Sequence, residues 1–171
     1  MDADGNSGIY VSDWKNGGYR FSRPDVGSVS LITFPGKTAA KFPDLARAKD
    51  AELLEHIISP SAVCRINTQR EILKRGAAGH IDGLGVIAAD KSVHLYGRIA
   101  ALFTLKQLAG ASANRTLARL TLDETIREWA YRALADRKRQ TGGVNSALFV
   151  KALRDKNPRV RLQAVIGLAR L

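Results

Sequence analysis

The residues in this chain that could do chemistry are few, and most of them are spaced for structure. Cys64 is the single cysteine. That excludes an intramolecular disulfide, a cysteine-rich zinc site and covalent haem attachment. Between Val63 and Arg65 on a helical stretch, it reads as a small core residue, with a thiolate activated by Arg65 as the sharper alternative. His56, His80 and His94 lie 24 and 14 residues apart, so no pair has the i,i+4 spacing of a helical metal site. No GxSxG, P-loop or GxGxxG pattern occurs. Asp2-Ala3-Asp4-Gly5-Asn6 sets hard oxygens at alternate positions, as Ca²⁺ requires, and Asp13 falls twelfth counting from Asp2. Ser7 stands where such a loop needs glycine, however, and residues 8–14 read as a strand. Asp2, Asp4 and Asn6 are therefore only weak metal candidates. No catalytic residue, cofactor or cofactor-binding residue is expected.

What remains is a set of four arginines, Arg65, Arg98, Arg127 and Arg161, separated by 33, 29 and 34 residues. A period in the thirties is the mark of stacked helical pairs. The clearest unit is residues 148–171. Leu148, Val150, Ala152 and Leu153 form one apolar stripe, Asp155-Lys156-Asn157-Pro158 interrupts it, and Val160, Ala164, Val165 and Leu168 form a second. Asn157 is placed to cap the second helix, and Pro158 sits at its first position, where a missing N–H costs nothing. The same grammar recurs as Asp123, Ile126, Arg127, Ala130 and Leu134, and again as Asp90, Arg98, Ala101 and Leu105. It recurs more loosely as Ser59-Pro60, Val63, Arg65, Thr68 and Leu73. Gly142-Gly143 reads as a turn between units.

Asp, then a β-branched residue with Arg, then Ala, then Leu resembles a HEAT repeat. The resemblance covers residues 45–171 and implies about four helical hairpins in a solenoid. It also implies that Asp and Arg act structurally, with the arginine reaching a neighbouring unit's aspartate. Asp90, Asp123 and Asp155 are mapped as the partners of Arg98, Arg127 and Arg161, because a half-buried guanidinium needs a carboxylate to be tolerated. The fold expected is mainly α, a HEAT-like helical-hairpin solenoid with a short N-terminal antiparallel β segment. Capping repeats are usual in such arrays, and none is legible after residue 171, so the chain is expected to be cut from, or to continue into, something longer.

Residues 1–44 are different in kind. GIYVSDW, residues 8–14, and GSVSLITF, residues 27–34, each alternate in polarity and read as two antiparallel strands joined by a long Gly-rich loop. Two strands alone are marginal in water, so they are expected to pack on the first helices or to belong to a larger sheet. The run GIYVSDWKNGGY, followed by a strand, a Pro-containing stretch and LLEHIISPSAVCRINTQREILKRG, resembles the end of the β-propeller in sorbosone-dehydrogenase-like (PQQ-type, membrane-bound dehydrogenase) proteins of planctomycete-type bacteria. In that family a HEAT array follows the last blade. The resemblance implies a scaffold segment, residues 1–44 being the edge of a blade, with the catalytic and cofactor residues elsewhere in the parent protein.

The chain has 27 basic and 16 acidic residues, a net charge of +11. Residues 1–44 balance at five of each, so the excess lies on residues 45–171. Arg70, Lys74 and Arg75 form one cluster. Arg132, Arg137, Lys138 and Arg139 form another, and Lys151, Arg154, Lys156 and Arg159 a third. Helix C-termini favour such cations and account for about half of them. The others suit an acidic or phosphate-rich partner. Aromatics are sparse here (Tyr96, Phe103, Trp129, Tyr131, Phe149), which does not suggest base stacking. No apolar run is long enough to span a membrane. The N-terminus is acidic and Gly-rich, unlike a signal peptide, so the chain as written is cytoplasmic, and periplasmic if it belongs to the parent family it resembles. The expected function is a non-catalytic scaffold that contacts a protein partner or a neighbouring domain. The alternative is a basic nucleic-acid-binding module, with a HEAT-like DNA glycosylase as its enzymatic form.

Overall fold

Apolar positions at helical spacing, punctuated by turn residues, set the helices of the computed structural model. It describes residues 2–3, 5, 8–14, 27–36, 41–76 and 79–171. The protein is mainly helical, with a short antiparallel sheet. Helices α1 (Asp50–His56) and α2 (Ala62–Arg75) are followed by α3 (Ile81–Ala89), α4 (Leu95–Ala109), α5 (Asn114–Leu120), α6 (Arg127–Leu134), α7 (Ser146–Ala152) and α8 (Pro158–Arg170). Side-chain caps fix the starts of three of the second helices, α2, α4 and α8. The Ser61 hydroxyl accepts from the Cys64 N–H at 3.3 Å, and the Asn157 side chain accepts from the Arg159 N–H at 2.9 Å with Pro158 leading the helix. His94 caps α4. Its Nδ1 accepts from the Gly97 N–H at 3.2 Å, which leaves Nε2 to donate to the Ile58 carbonyl at 2.7 Å.

Consecutive helices pair, α1 with α2, α3 with α4, α5 with α6, and α7 with α8. The second helix of each pair also packs on the second helix of the next, α2 on α4, α4 on α6 and α6 on α8. One continuous core fills these contacts. Leu53, Ile72, Leu84, Leu102, Ile126, Leu134, Phe149 and Val160 are buried within it. Small residues let the backbones approach. Ala100, Ala101, Ala130, Ala133 and Ala164 are buried, and Gly97 lies against Ile58. Gln69 ties α2 to α4, donating to the Ala100 carbonyl and the Thr104 hydroxyl, both at 3.0 Å.

The sheet has the order β1-β2-β3, with β1 (Asp2–Ala3), β2 (Ile9–Trp14) and β3 (Gly27–Ile32) antiparallel. Tyr10 pairs with Leu31 and Val11 with Ser30. A third strand was not expected from the sequence. It pairs Asp2 with Tyr10 and Ala3 with Ile9, while residues 4, 6 and 7 of the calcium-loop candidate lie outside the described residues. The N-terminal segment meets the helices at Gly5. A side chain added to Gly5 would strike the Phe42 ring and touch Val63 of α2. Every residue of β3 is exposed, including Val29, Leu31 and Ile32. The loop between β2 and β3, residues 15–26, lies outside the described residues.

Gly167 of α8 shows how close these helices come, because a Cβ there would overlap the fully buried Phe149 ring of α7. An exposed helical Gly→Ala change gains up to about 1 kcal/mol from propensity. The clash outweighs that, because overpacking a filled core costs about 1–3 kcal/mol. Gly167→Ala is therefore expected to lower the urea midpoint of unfolding, whereas a propensity-only effect would raise it.

Candidate functional site: an arginine–aspartate bridge and an aromatic face

Each of the four arginines sits in the first turns of a second helix, and three of them reach back to carbonyls of the turn before it. Arg65 Nη1 donates to the Ser59 and Pro60 carbonyls at 2.6 and 2.8 Å, and Arg98 Nε to the Ala88 carbonyl at 3.0 Å. Arg161 Nη1 donates to the Asp155 and Lys156 carbonyls at 2.8 and 3.1 Å. These acceptors are carbonyls left over where a first helix ends, and a cation is favoured there by the helix dipole.

Arg98 and Arg127 then reach further. Arg98 Nη2 donates to Asp123 Oδ2 at 2.7 Å and Nη1 to the Thr125 hydroxyl at 2.8 Å; Arg127 Nη2 donates to Asp155 Oδ1 at 2.9 Å. The bridge therefore runs to the next pair's turn, one turn beyond the partner mapped from the sequence. The reason is local. Each aspartate first closes its own turn, as short acidic side chains do. Asp90 Oδ1 accepts from the Ser92 N–H and hydroxyl at 2.8 and 2.7 Å, and Asp123 Oδ1 from the Thr125 N–H and hydroxyl at 3.0 and 2.8 Å. Asp155 Oδ1 accepts from the Asn157 N–H at 2.8 Å. Asp123 Oδ2 is thus left facing the preceding pair, where Arg98 finds it. Among the described residues, Arg65, Arg161 and Asp90 form no Arg–Asp bridge. Arg127 also approaches Glu124 at 3.4 Å, and Lys156 reaches the same carboxylate at 3.2 Å.

The positive excess divides into used and unused groups. Arg75 gathers the Leu45, Ala46 and Ala48 carbonyls with Asp50 and Glu71. Arg170 caps α6 through the Ala135 and Asp136 carbonyls at 2.7 and 3.0 Å. Lys106, only 1% exposed, donates to Asn114 Oδ1 at 2.8 Å and the Gln140 carbonyl at 3.1 Å. Burial is the main reason its ammonium sits below the ordinary lysine value. Among the described residues, Arg115, Arg119, Lys151 and Arg154 meet neither a carboxylate nor a hydrogen-bond acceptor.

Packing of α4 on α6 also assembles a patch that sequence spacing did not reveal. Phe103 and Trp129 meet edge to face at 6.4 Å, and the exposed Arg132 lies over both rings, at 5.8 and 5.9 Å. Arg65 similarly covers Tyr96 at 5.5 Å. Aromatic rings with a guanidinium over them are the side chains that dominate protein interfaces. The other sequence candidates do not converge. Cys64 is buried, with its thiol directed at the His56 carbonyl at 3.9 Å. Asp13 accepts from the Ser28 hydroxyl across the sheet. Asp2 belongs to β1, while Asp4 and Asn6 lie outside the described residues. No family model matches the chain, and no curated protein or solved structure matches it.

The bridge makes stability depend on acid. Burial alone pushes the Asp123 carboxyl up, but hydrogen bonds from Arg98 and Thr125 outweigh it and hold the group down to about 2, against an ordinary 3.8. The charged form is the one the fold prefers. Its contribution is full above the ordinary value and is lost as pH falls through about 2. With solvent screening allowed for, it amounts to on the order of 1–2 kcal/mol. Asp123→Asn should lower the unfolding free energy by that amount at neutral pH and make the urea midpoint less steep between about pH 4 and pH 2. An unchanged acid limb would mean the bridge contributes nothing.

Proposed function

We propose that residues 45–171 are a HEAT-like helical-repeat interaction module, and that the chain is a non-catalytic scaffold segment of a larger dehydrogenase-like multidomain protein. The observation that carries this reading is the repetition of one bridge. Arg98–Asp123 and Arg127–Asp155 are the same contact moved along by one helix pair, within a row of second helices that pack each on the next. A row of this kind offers an extended face built from many helices, suited to holding a partner. Phe103, Trp129 and Arg132 lie on that row and form its recognition patch. The exposed apolar strand β3 supports placing residues 1–44 at the edge of a larger sheet, since an uncovered edge of that kind invites a further strand.

The alternative, a basic nucleic-acid-binding module, draws on the net charge of +11. Much of that charge is already committed to backbone carbonyls and carboxylates, which leaves only scattered cations for phosphate. Titration with duplex DNA separates the readings. The scaffold reading expects weak binding without sequence preference, with log K falling by about 0.9 per phosphate contact for each tenfold rise in salt. Tight binding that survives moderate salt and discriminates sequence or damaged bases would replace it with the nucleic-acid reading.

A further inference from the structure

The first helices do not pack evenly. α3 rests against α5, but an open groove separates α5 from α7. One part of the groove is a cavity of about 590 Å³ lined by Ala118, Leu134 and Val144, with Arg115 and Arg119 at its edge. The other part is a cavity of about 1130 Å³ lined by Tyr131 and Val150, with Lys151 and Arg154 at its edge. Thr121, Leu122 and Leu148 belong to both, so the two parts are continuous. The floor is apolar and uncovered. Leu122 is 81% exposed and Val150 is 55% exposed.

The gap is built into the chain. Successive pairs are joined by residues 76–80 and 110–113 earlier on, but α6 and α7 are joined by the longer stretch 135–145. Two buried side chains fasten that stretch at one end of the groove. Lys106 donates to the Gln140 carbonyl, and Asn114 Nδ2 donates to the Gln140 and Gly142 carbonyls, both at 2.9 Å. Taking an ammonium out of water is costly, and here its hydrogen bonds hold the end wall of the groove in place.

We infer that the α5–α7 groove is the docking site for an acidic amphipathic helix of a partner protein. This deepens the interaction-module reading and rests on it. The floor supplies apolar contacts at Leu122, Leu148 and Val150 for residues spaced i, i+3, i+4 and i+7 on a ligand helix. Both walls are positive, Arg115 and Arg119 on α5 and Lys151 with Arg154 at α7, and none of the four has a carboxylate partner among the described residues. Asp155, the one acid lining the groove, is already held by Arg127 and the Asn157 N–H. Cations spread along two walls match carboxylates on both flanks of a helix, whereas a small anion would need them gathered at one point. The uncovered leucine floor disfavours nucleic acid for the same site.

The test is fluorescence anisotropy on the full chain. The probe is a short labelled peptide with leucines on one helical face and glutamates on the other, set beside a scrambled peptide of identical composition. The groove predicts that the scrambled peptide binds about tenfold more weakly or worse. Leu122→Ser and Arg119→Glu, both at exposed positions, should each weaken the amphipathic peptide by about tenfold. Lys91→Glu, an equal charge reversal at an exposed position in the turn before α4, should leave it unchanged. Absence of binding, equal binding of the scrambled peptide, or stronger binding of phosphatidylglycerol vesicles that ignores Leu122→Ser would each overturn the assignment. Loss of peptide in Arg132→Glu alone would move docking to the second-helix face, overturning the groove while leaving the module reading intact. Failure of the module reading itself appears separately, as salt-resistant, selective DNA binding.

Discussion

A guanidinium holds five N–H donors in one plane, and burying it removes water from all of them. Arg98 is 3% exposed, so the fold must supply acceptors around it. It does so from two different helix pairs, with the Ala88 carbonyl from its own turn and Asp123 with Thr125 from the next. The consequence is geometric. An arginine satisfied on both sides fixes where the next pair begins relative to the last, which apolar packing of leucines and alanines leaves comparatively free. The row α2, α4, α6, α8 and the aromatic patch on it follow from that placement.

The same economy explains the charge of the chain. A basic protein is often read as one that waits for phosphate. Here Arg65, Arg75, Arg161 and Arg170 donate to backbone carbonyls, most of them where helices end. Arg98 and Arg127 hold aspartates, and Lys106 is buried behind the loop it fastens. What is left over is not uniform. Arg115, Arg119, Lys151 and Arg154 line one groove and Arg132 lies on the aromatic patch, while Lys74, Lys91, Lys138 and Arg139 are scattered elsewhere.

Much of the helical text was legible. The Asn157-Pro158 start of α8, the break between α7 and α8, and the placement of all four arginines on second helices follow from local chemistry that a sequence displays. Arginine–aspartate register was not legible, because Arg98 and Arg127 each have an aspartate shortly before them and another a unit later. Only the turn, where Asp90 and Asp123 are drawn to Ser92 and Thr125, decides between them. His94 carried no metal-like spacing, and its role as a cap depends on the distant Ile58 carbonyl. Phe103 and Trp129 come from different helices, and the groove depends on how far residues 135–145 displace α7. Strand β1 was too short to show an alternation, so Asp2 and Ala3 were read as part of a loop.

Coupling of a helix pair to the following turn rests on an arginine at two places, Arg98 with Asp123 and Arg127 with Asp155. A double-mutant cycle measures it directly, using urea unfolding of Arg98→Ala, Asp123→Ala and the double variant, with a parallel cycle on Arg98 and Asp90. Arg98→Ala alone is expected to cost about 3 kcal/mol, because it strands a carboxylate. A coupling energy of about 1.5–3 kcal/mol is expected for Arg98 with Asp123 and only a few tenths for Arg98 with Asp90. Coupling that resides in the Asp90 pair, or in neither pair, would contradict it.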